Sequence, residues 1–185
     1  MEMSLNLIIC AGIHPLTWTD DFVANLNHSE INLKPENLLI FPTDLFRAYD
    51  GQKIFQFIQE SYPQPNFSPP FIIIGFSAGV VGALIASRLW QRHGGKVLAL
   101  IALDGWGVPL IADFPIFTLC HDYFTHLTLI KFNSQVDSFY AEPSVSHEHI
   151  WRSPLQTIGW WQKPDGTKQK TNAMTIIKSC LEKYQ

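Results

Sequence analysis

Five short apolar runs punctuate the chain: Leu5–Cys10, Leu38–Phe41, Phe71–Ile74, Val97–Leu103 and Ile116–Cys120, with a weaker sixth at Ser138–Ala141. They are almost continuously apolar rather than alternating. That is the pattern of strands covered on both faces, as a parallel sheet requires. Helix-patterned segments separate them. Asp20 to Leu26 follows the first run. Lys53 to Tyr62 follows the second, with Ile54, Phe57 and Ile58 on one face. Ala78 to Trp90 follows the third and is stopped by Gly94-Gly95. Ala173 to Tyr184 carries an apolar stripe of Ile176, Ile177, Cys180, Leu181 and Tyr184, with Thr171 or Asn172 as its cap.

Strand–helix alternation predicts an α/β fold: three layers, a mostly parallel sheet of five to six strands, and helices on both faces. The 185 residues fit a single domain over 1–185. The Pro-rich stretch 63–70 reads as a loop leading into a strand, because too little chain lies on either side for two cores. The run Lys163 to Lys170 reads as a solvated loop around a Pro-Asp-Gly turn, or as the tip of a hairpin.

Composition narrows the function classes. With 46% hydrophobic residues the chain is not a disordered linker. A net charge of −3 without a basic block argues against a nucleic-acid partner. No run approaches the roughly 18 apolar residues of a membrane span, and the first apolar stretch is too short and lacks the basic flank of a signal peptide. Cys10, Cys120 and Cys180 form no C-x-x-C pair, and Cys10 and Cys120 lie in apolar runs. Cys10 and Cys120 read as buried thiols in a reducing compartment, so a cytoplasmic location is expected, with no disulfide framework and no metal.

The motif that carries chemistry is Gly75-Phe76-Ser77-Ala78-Gly79, a G-x-S-x-G pentapeptide. Four apolar residues lead into it and a small-residue helix leads out, the strand–turn–helix setting in which such a serine becomes an exposed nucleophile. The flanking glycines allow strand and helix to approach closely, and the helix amino terminus offers free N–H groups beside the serine oxygen. A dinucleotide fingerprint or a phosphate-binding loop would need other spacings, neither of which is present.

With this motif in this context the sequence resembles the α/β-hydrolase superfamily. The resemblance implies a nucleophile, Ser77, followed along the chain by an acid and then a histidine. It also implies an oxyanion hole made by the N–H of Ala78 and a second N–H from a loop after an earlier strand. Ala11-Gly12-Ile13-His14-Pro15 looks like that loop, with Ile13 the donor and Ala11 where the family carries histidine. For the acid, Asp104 ends the strongest strand after the serine helix and is placed as in thioesterase-type members. Asp122, one strand later, is the alternative. For the base, His147 lies beyond the sixth run, where the family places its histidine, with His149 and His121 as alternatives. His14, Phe76 and Trp106 are the expected pocket residues. Trp151 and the pair Trp160-Trp161 read first as cover for the core edge.

The chain has fewer strand signals than the eight usual in the family and no room for a large cap. An open site is expected, covered if at all by Gly105 to Pro115 or by Tyr123 to Phe132. The expected function is that of a serine esterase or thioesterase acting on a small-molecule acyl substrate, with no cofactor. A catalytically silent binding protein of the same fold, and an acyltransferase using the same serine, are the alternatives. The sequence carries no signal of oligomeric state.

Overall fold

The computed structural model describes residues 5–31, 33–105, 108–130 and 137–184. In chain order these form β1 (Asn6–Cys10), α1 (Leu16–His28), β2 (Leu38–Ile40), α2 (Gly51–Ser61), β3 (Phe71–Phe76), α3 (Ala78–Arg92), β4 (Val97–Leu103) and β5 (Ile116–Cys120). There follow α4 (Tyr123–Ile130), β6 (Ser138–Ala141), α5 (His147–Arg152), β7 (Ile158–Gln162), β8 (Lys168–Asn172) and α6 (Ala173–Glu182). The strands make one sheet in the order β2-β1-β3-β4-β5-β6-β7-β8. Pairings from β2 through β6 are parallel, and β7 and β8 add antiparallel.

Strand residues alternate between two apolar clusters, as the two-residue period of a strand demands. Leu7, Ile9, Ile72, Ile74, Ile101 and Leu103 face one way, onto Phe22 and Leu26 of α1, Ile150 and Trp151 of α5, and α6. Ile8, Cys10, Ile73, Leu100 and Ala102 face the other way, onto Ile54 and Ile58 of α2, Val80, Leu84 and Trp90 of α3, and Leu129 of α4. Both faces are therefore covered, and the central strands have to be apolar throughout.

The sheet corrects the expected strand number: it has eight strands, not five or six. The two that were not predicted are the hairpin β7–β8. Its residues are mostly half-buried or exposed, and β8 (Lys-Gln-Lys-Thr-Asn) is polar throughout. An edge strand rich in lysine has no apolar run to betray it, and such charge is how exposed edges avoid pairing with other chains. The hairpin tip is the Pro164-Asp165-Gly166 turn, closed by the Lys163 N–H to the Thr167 carbonyl at 2.9 Å, with Gly166 at a φ of 84°. Helix α1 also begins earlier than predicted, at Leu16 after Pro15. Asn172 is the cap of α6, its side chain accepting from the Thr175 N–H. Among the described residues no helix is long and apolar enough to cross a membrane. All three cysteines are buried and free.

The strand order reverses at β1. The chain passes from β1 to β2 on one side, then crosses to β3 on the other. In open α/β sheets the crevice at such a reversal, beyond the carboxyl ends of the strands, is where ligands bind. Here that crevice is bounded by the loop after β1 and by the turn between β3 and α3.

Candidate active site

Ser77 occupies the turn from β3 to α3 with φ 53° and ψ −122°. A non-glycine residue in this region costs of order 1–3 kcal/mol and persists only where its surroundings hold it. The surroundings are visible. The Ser77 N–H donates to the Leu103 carbonyl of β4 at 2.9 Å, and the Ser77 carbonyl accepts from the Val80 N–H at 3.1 Å. The two motif glycines are steric requirements. A Cβ on Gly75 would lie 2.8 Å from the Val80 Cα. One on Gly79 would lie 2.8 Å from the Ala11 carbonyl carbon, and nearer still to the carbonyl oxygens of Cys10 and Ala11. Gly79 thus lets α3 begin directly against the end of β1. Ser77 is half-buried. Among the described residues no hydrogen bond engages its hydroxyl, from an imidazole or any other group.

The loop after β1 lies against this turn. A Cβ on Gly12 would sit 3.1 Å from the Ser77 Cβ and 3.1 Å from the Phe76 carbonyl oxygen. The Ile13 side chain points to solvent, 76% exposed, so its backbone is what this residue offers the crevice. His14 is wedged among aromatic rings, stacked on Trp18 at 5.1 Å and tilted against Phe76 at 5.5 Å. Burial lowers its pKa, and the nearby His147 adds to that, against the raising effect of its bond to the Pro15 carbonyl.

Asp104 ends β4, fully buried, with a φ of 51°. Its Oδ1 accepts the His121 backbone N–H at 2.9 Å. Its Oδ2 lies 2.8 Å from His121 Nδ1 and 2.9 Å from His147 Nδ1. Burial pushes this carboxyl up. The hydrogen bonds from the two histidines and the charge of His121 outweigh that and hold it below the ordinary carboxylate range.

His147 opens α5. Its ring stacks on Phe76 at 4.7 Å, one residue before Ser77. The helix is anchored by Trp151, which is fully buried and lies between Phe76 at 4.9 Å and Phe22 at 3.8 Å. Trp151 is therefore more than cover for the core edge: its aromatic stack fixes where His147 sits.

The structure thus brings Asp104, His147, Phe76 and the loop bearing Ile13 and His14 around the Ser77 turn. Asp122 stands apart from it. Its Oδ1 accepts the Thr125 N–H at 2.7 Å, capping the first turn of α4, and its Oδ2 lies 3.5 Å from His121 Nε2. His149, two residues along α5, takes no part in the hydrogen bonds around Asp104. Trp106 lies outside the described residues.

Two features were not foreseen. One is His121 bonding to Asp104 alongside His147. The other is a cleft of about 410 Å³ between Gly12–His14 and the loop from Thr43 to Tyr49. Leu45 and Phe46 are exposed on its wall. No motif marks that loop, and only the reversal of strand order at β1 brings it beside the loop after β1. A larger hollow of about 870 Å³, lined by Leu5, Asn6, Val97 and Phe114 among others, lies at the amino ends of the strands, away from these groups.

A ring nitrogen of His121, a ring nitrogen of His147 and an oxygen of Asp104 all lie within 4.8 Å of one another. Two N–H donors converging on one carboxylate oxygen at hydrogen-bond distance account for that closeness, and we read the group as a hydrogen-bonded array. Compared with models of known protein families and with curated proteins, the chain matches none.

Proposed function

We propose that this chain is a serine hydrolase of the α/β-hydrolase type that cleaves carboxylic esters or thioesters through an acyl-enzyme on Ser77. The observation that carries the reading is the pairing of a buried carboxylate with an imidazole beside a serine held at positive φ on a strand–helix turn. Both the nucleophile's backbone strain and a charge buried at the carboxyl end of a central strand are costly, and function is where such costs are kept.

In the proposed reaction the Ser77 oxygen attacks the acyl carbon while its proton passes to Nε2 of His147. Nδ1 of His147 donates to Asp104, which fixes the tautomer with Nε2 free and stabilises the imidazolium as it forms. His147 is preferred to His121 as base because His121 Nε2 lies near Asp122 at 3.5 Å, while the His147 ring rests on the residue preceding the nucleophile. The N–H groups of Ala78, at the start of α3, and of Ile13 stabilise the tetrahedral oxyanion. Collapse expels the alcohol or thiol with the proton from His147. Water, deprotonated by the same imidazole, then releases the acid. The chain's own groups and water supply every proton and atom these steps need. The substrate is a small acyl compound, held in the cleft beside Gly12–His14. The three buried free thiols fit a cytoplasmic setting.

One observation favours a second reading, a silent binding protein: no hydrogen bond joins the Ser77 hydroxyl to either imidazole. In unliganded sites such bonds are often long and tighten only with substrate. The test is turnover of p-nitrophenyl acetate and an acyl thioester, with the covalent adduct mapped by mass spectrometry. An acyl group on the Ser77 peptide supports the hydrolase, and a stable fold with neither turnover nor adduct supports the silent protein. Transfer to an added alcohol at the expense of hydrolysis would identify an acyltransferase.

A further inference from the structure

Asp104 is bonded more fully by His121 than by the residue assigned as base. His121 gives it a backbone N–H at 2.9 Å to Oδ1 and its Nδ1 at 2.8 Å to Oδ2. His147 gives it one contact, 2.9 Å, to that same Oδ2. The two imidazole rings are edge to face with centroids 5.9 Å apart. One buried carboxylate, one negative charge and two titratable rings share a single oxygen.

We propose that His121 is a positioning residue for this site, one that shares Asp104 with His147 and, by taking a proton ahead of it, sets how strong a base His147 can be. The inference rests on the assignment of Ser77, His147 and Asp104 above. Its physical ground is the charge count. When His121 is neutral, its Nδ1–H still donates to Asp104, and the full carboxylate charge remains to stabilise an imidazolium at His147. When His121 is protonated, it neutralises Asp104, and His147 loses that stabilisation.

The surroundings of His121 favour its protonated form. Asp104 lies on one side of its ring, Asp122 Oδ2 is 3.5 Å from Nε2, and Glu148 of α5 adds negative charge. Hydrogen bonding to Asp104 raises its pKa, burial opposes this, and the charges of Asp104, Asp122 and Glu148 add to the rise. The groups facing His147 are Asp104, His121, the neighbouring Glu148 and, across Phe76, His14. In this proposal a proton taken up by His121 neutralises Asp104 and leaves His147 the weaker base. A second proton goes to His147 and stops the reaction. Such coupled sites titrate in two steps that belong to the pair.

The test is an NMR titration of the imidazole resonances in the wild type, in His121→Asn and in His147→Asn, with the pH profile of fluorophosphonate labelling measured alongside. Asparagine places an amide N–H near the position of Nδ1 and keeps the bond to Asp104, but cannot be charged. In His121→Asn, His147 is expected to hold its proton about tenfold more tightly, moving its titration up by about one pH unit. The labelling limb should move with it and become a single step. Because His121 takes its proton while His147 is still neutral, its titration should stay in place in His147→Asn, where the neighbouring side chain is likewise uncharged. A purely structural role for His121 moves neither the His147 titration nor the labelling limb, because the hydrogen bond is retained. His147 titrating identically with and without His121 would overturn the inference even if Ser77 labels normally. Coupled titrations in a wild type that never labels would instead refute the Ser77 chemistry, and with it any role for His121 in catalysis.

Discussion

Replacing Gly79 by alanine adds one methyl group where the amino terminus of α3 meets the end of β1. The new Cβ would stand 2.8 Å from the Ala11 carbonyl carbon and closer to two carbonyl oxygens, and all three atoms are backbone. Ordinary carbon–oxygen contacts need about 3.3 Å or more, so helix and loop must part by about 1 Å. No side chain can rotate away to relieve this. Forced overpacking of that kind costs about 1–3 kcal/mol or more, against at most about 1 kcal/mol regained from the better helix propensity of alanine. A net loss of about 2 kcal/mol in a urea titration followed by tryptophan fluorescence is expected. The loop that moves is the one carrying Gly12 and Ile13, so serine labelling should also slow, by about 100-fold for a 1 Å displacement of the donors. Gly166→Ala is the control. Nothing lies within 4 Å of its Cβ, but its φ is 84°. It should cost about 1 kcal/mol through backbone conformation and leave labelling untouched. A Gly79→Ala protein as stable and as reactive as the wild type would refute the claim that this glycine seats α3 against β1.

Asp104→Asn tolerates the positive φ, since asparagine adopts that region readily, but it removes the charge that two histidines share. Labelling of Ser77 should fall by about 10³–10⁴-fold with the fold intact, as a probe assay on the folded variant will show. Asp104→Ala should lose further stability, about 1–3 kcal/mol by denaturant titration, because the half-buried His121 N–H then loses its acceptor. His126 is fully buried, and burial lowers its pKa from the ordinary 6.5 to about 4. Its neutral form is the one that fits, so the stability it confers is complete above pH 6.5 and is lost as pH falls toward 4. The slope is up to about 1.4 kcal/mol per pH unit for one proton, and His126→Phe should flatten that part of the stability profile.

What the sequence discloses here follows from where each segment sits. Val97–Leu103 and Ile116–Cys120 are strands as the apolar runs predict, because both faces of the sheet are covered there. Lys168–Asn172 is a strand that no apolar pattern could reveal, because water covers most of it. The turn at Ser77 is legible because its glycines answer a steric demand that only glycine meets. The approach of His147 to Asp104, 43 residues apart, is not readable from spacing. It depends on Trp151 seating a short helix between Phe22 and Phe76. The doubled histidine at Asp104 was hidden for a similar reason. Once His121 and Asp104 end neighbouring parallel strands, β5 and β4, their side chains must meet, but only the strand order makes them neighbours. The same topology carries the Thr43–Tyr49 loop to the crevice.

The central claim is that Ser77 is a nucleophile activated by His147. A fluorophosphonate probe tests it most directly, because it reacts only with a serine that is both accessible and deprotonated by a neighbouring base. Wild type, Ser77→Ala and His147→Ala should be compared at neutral pH, with circular dichroism to establish that each is folded. The account requires a labelled wild type, no labelling of Ser77→Ala, and labelling of His147→Ala slowed by about 10³-fold or more. A folded wild type that takes no label, or a His147→Ala protein that labels as fast as the wild type, would contradict it.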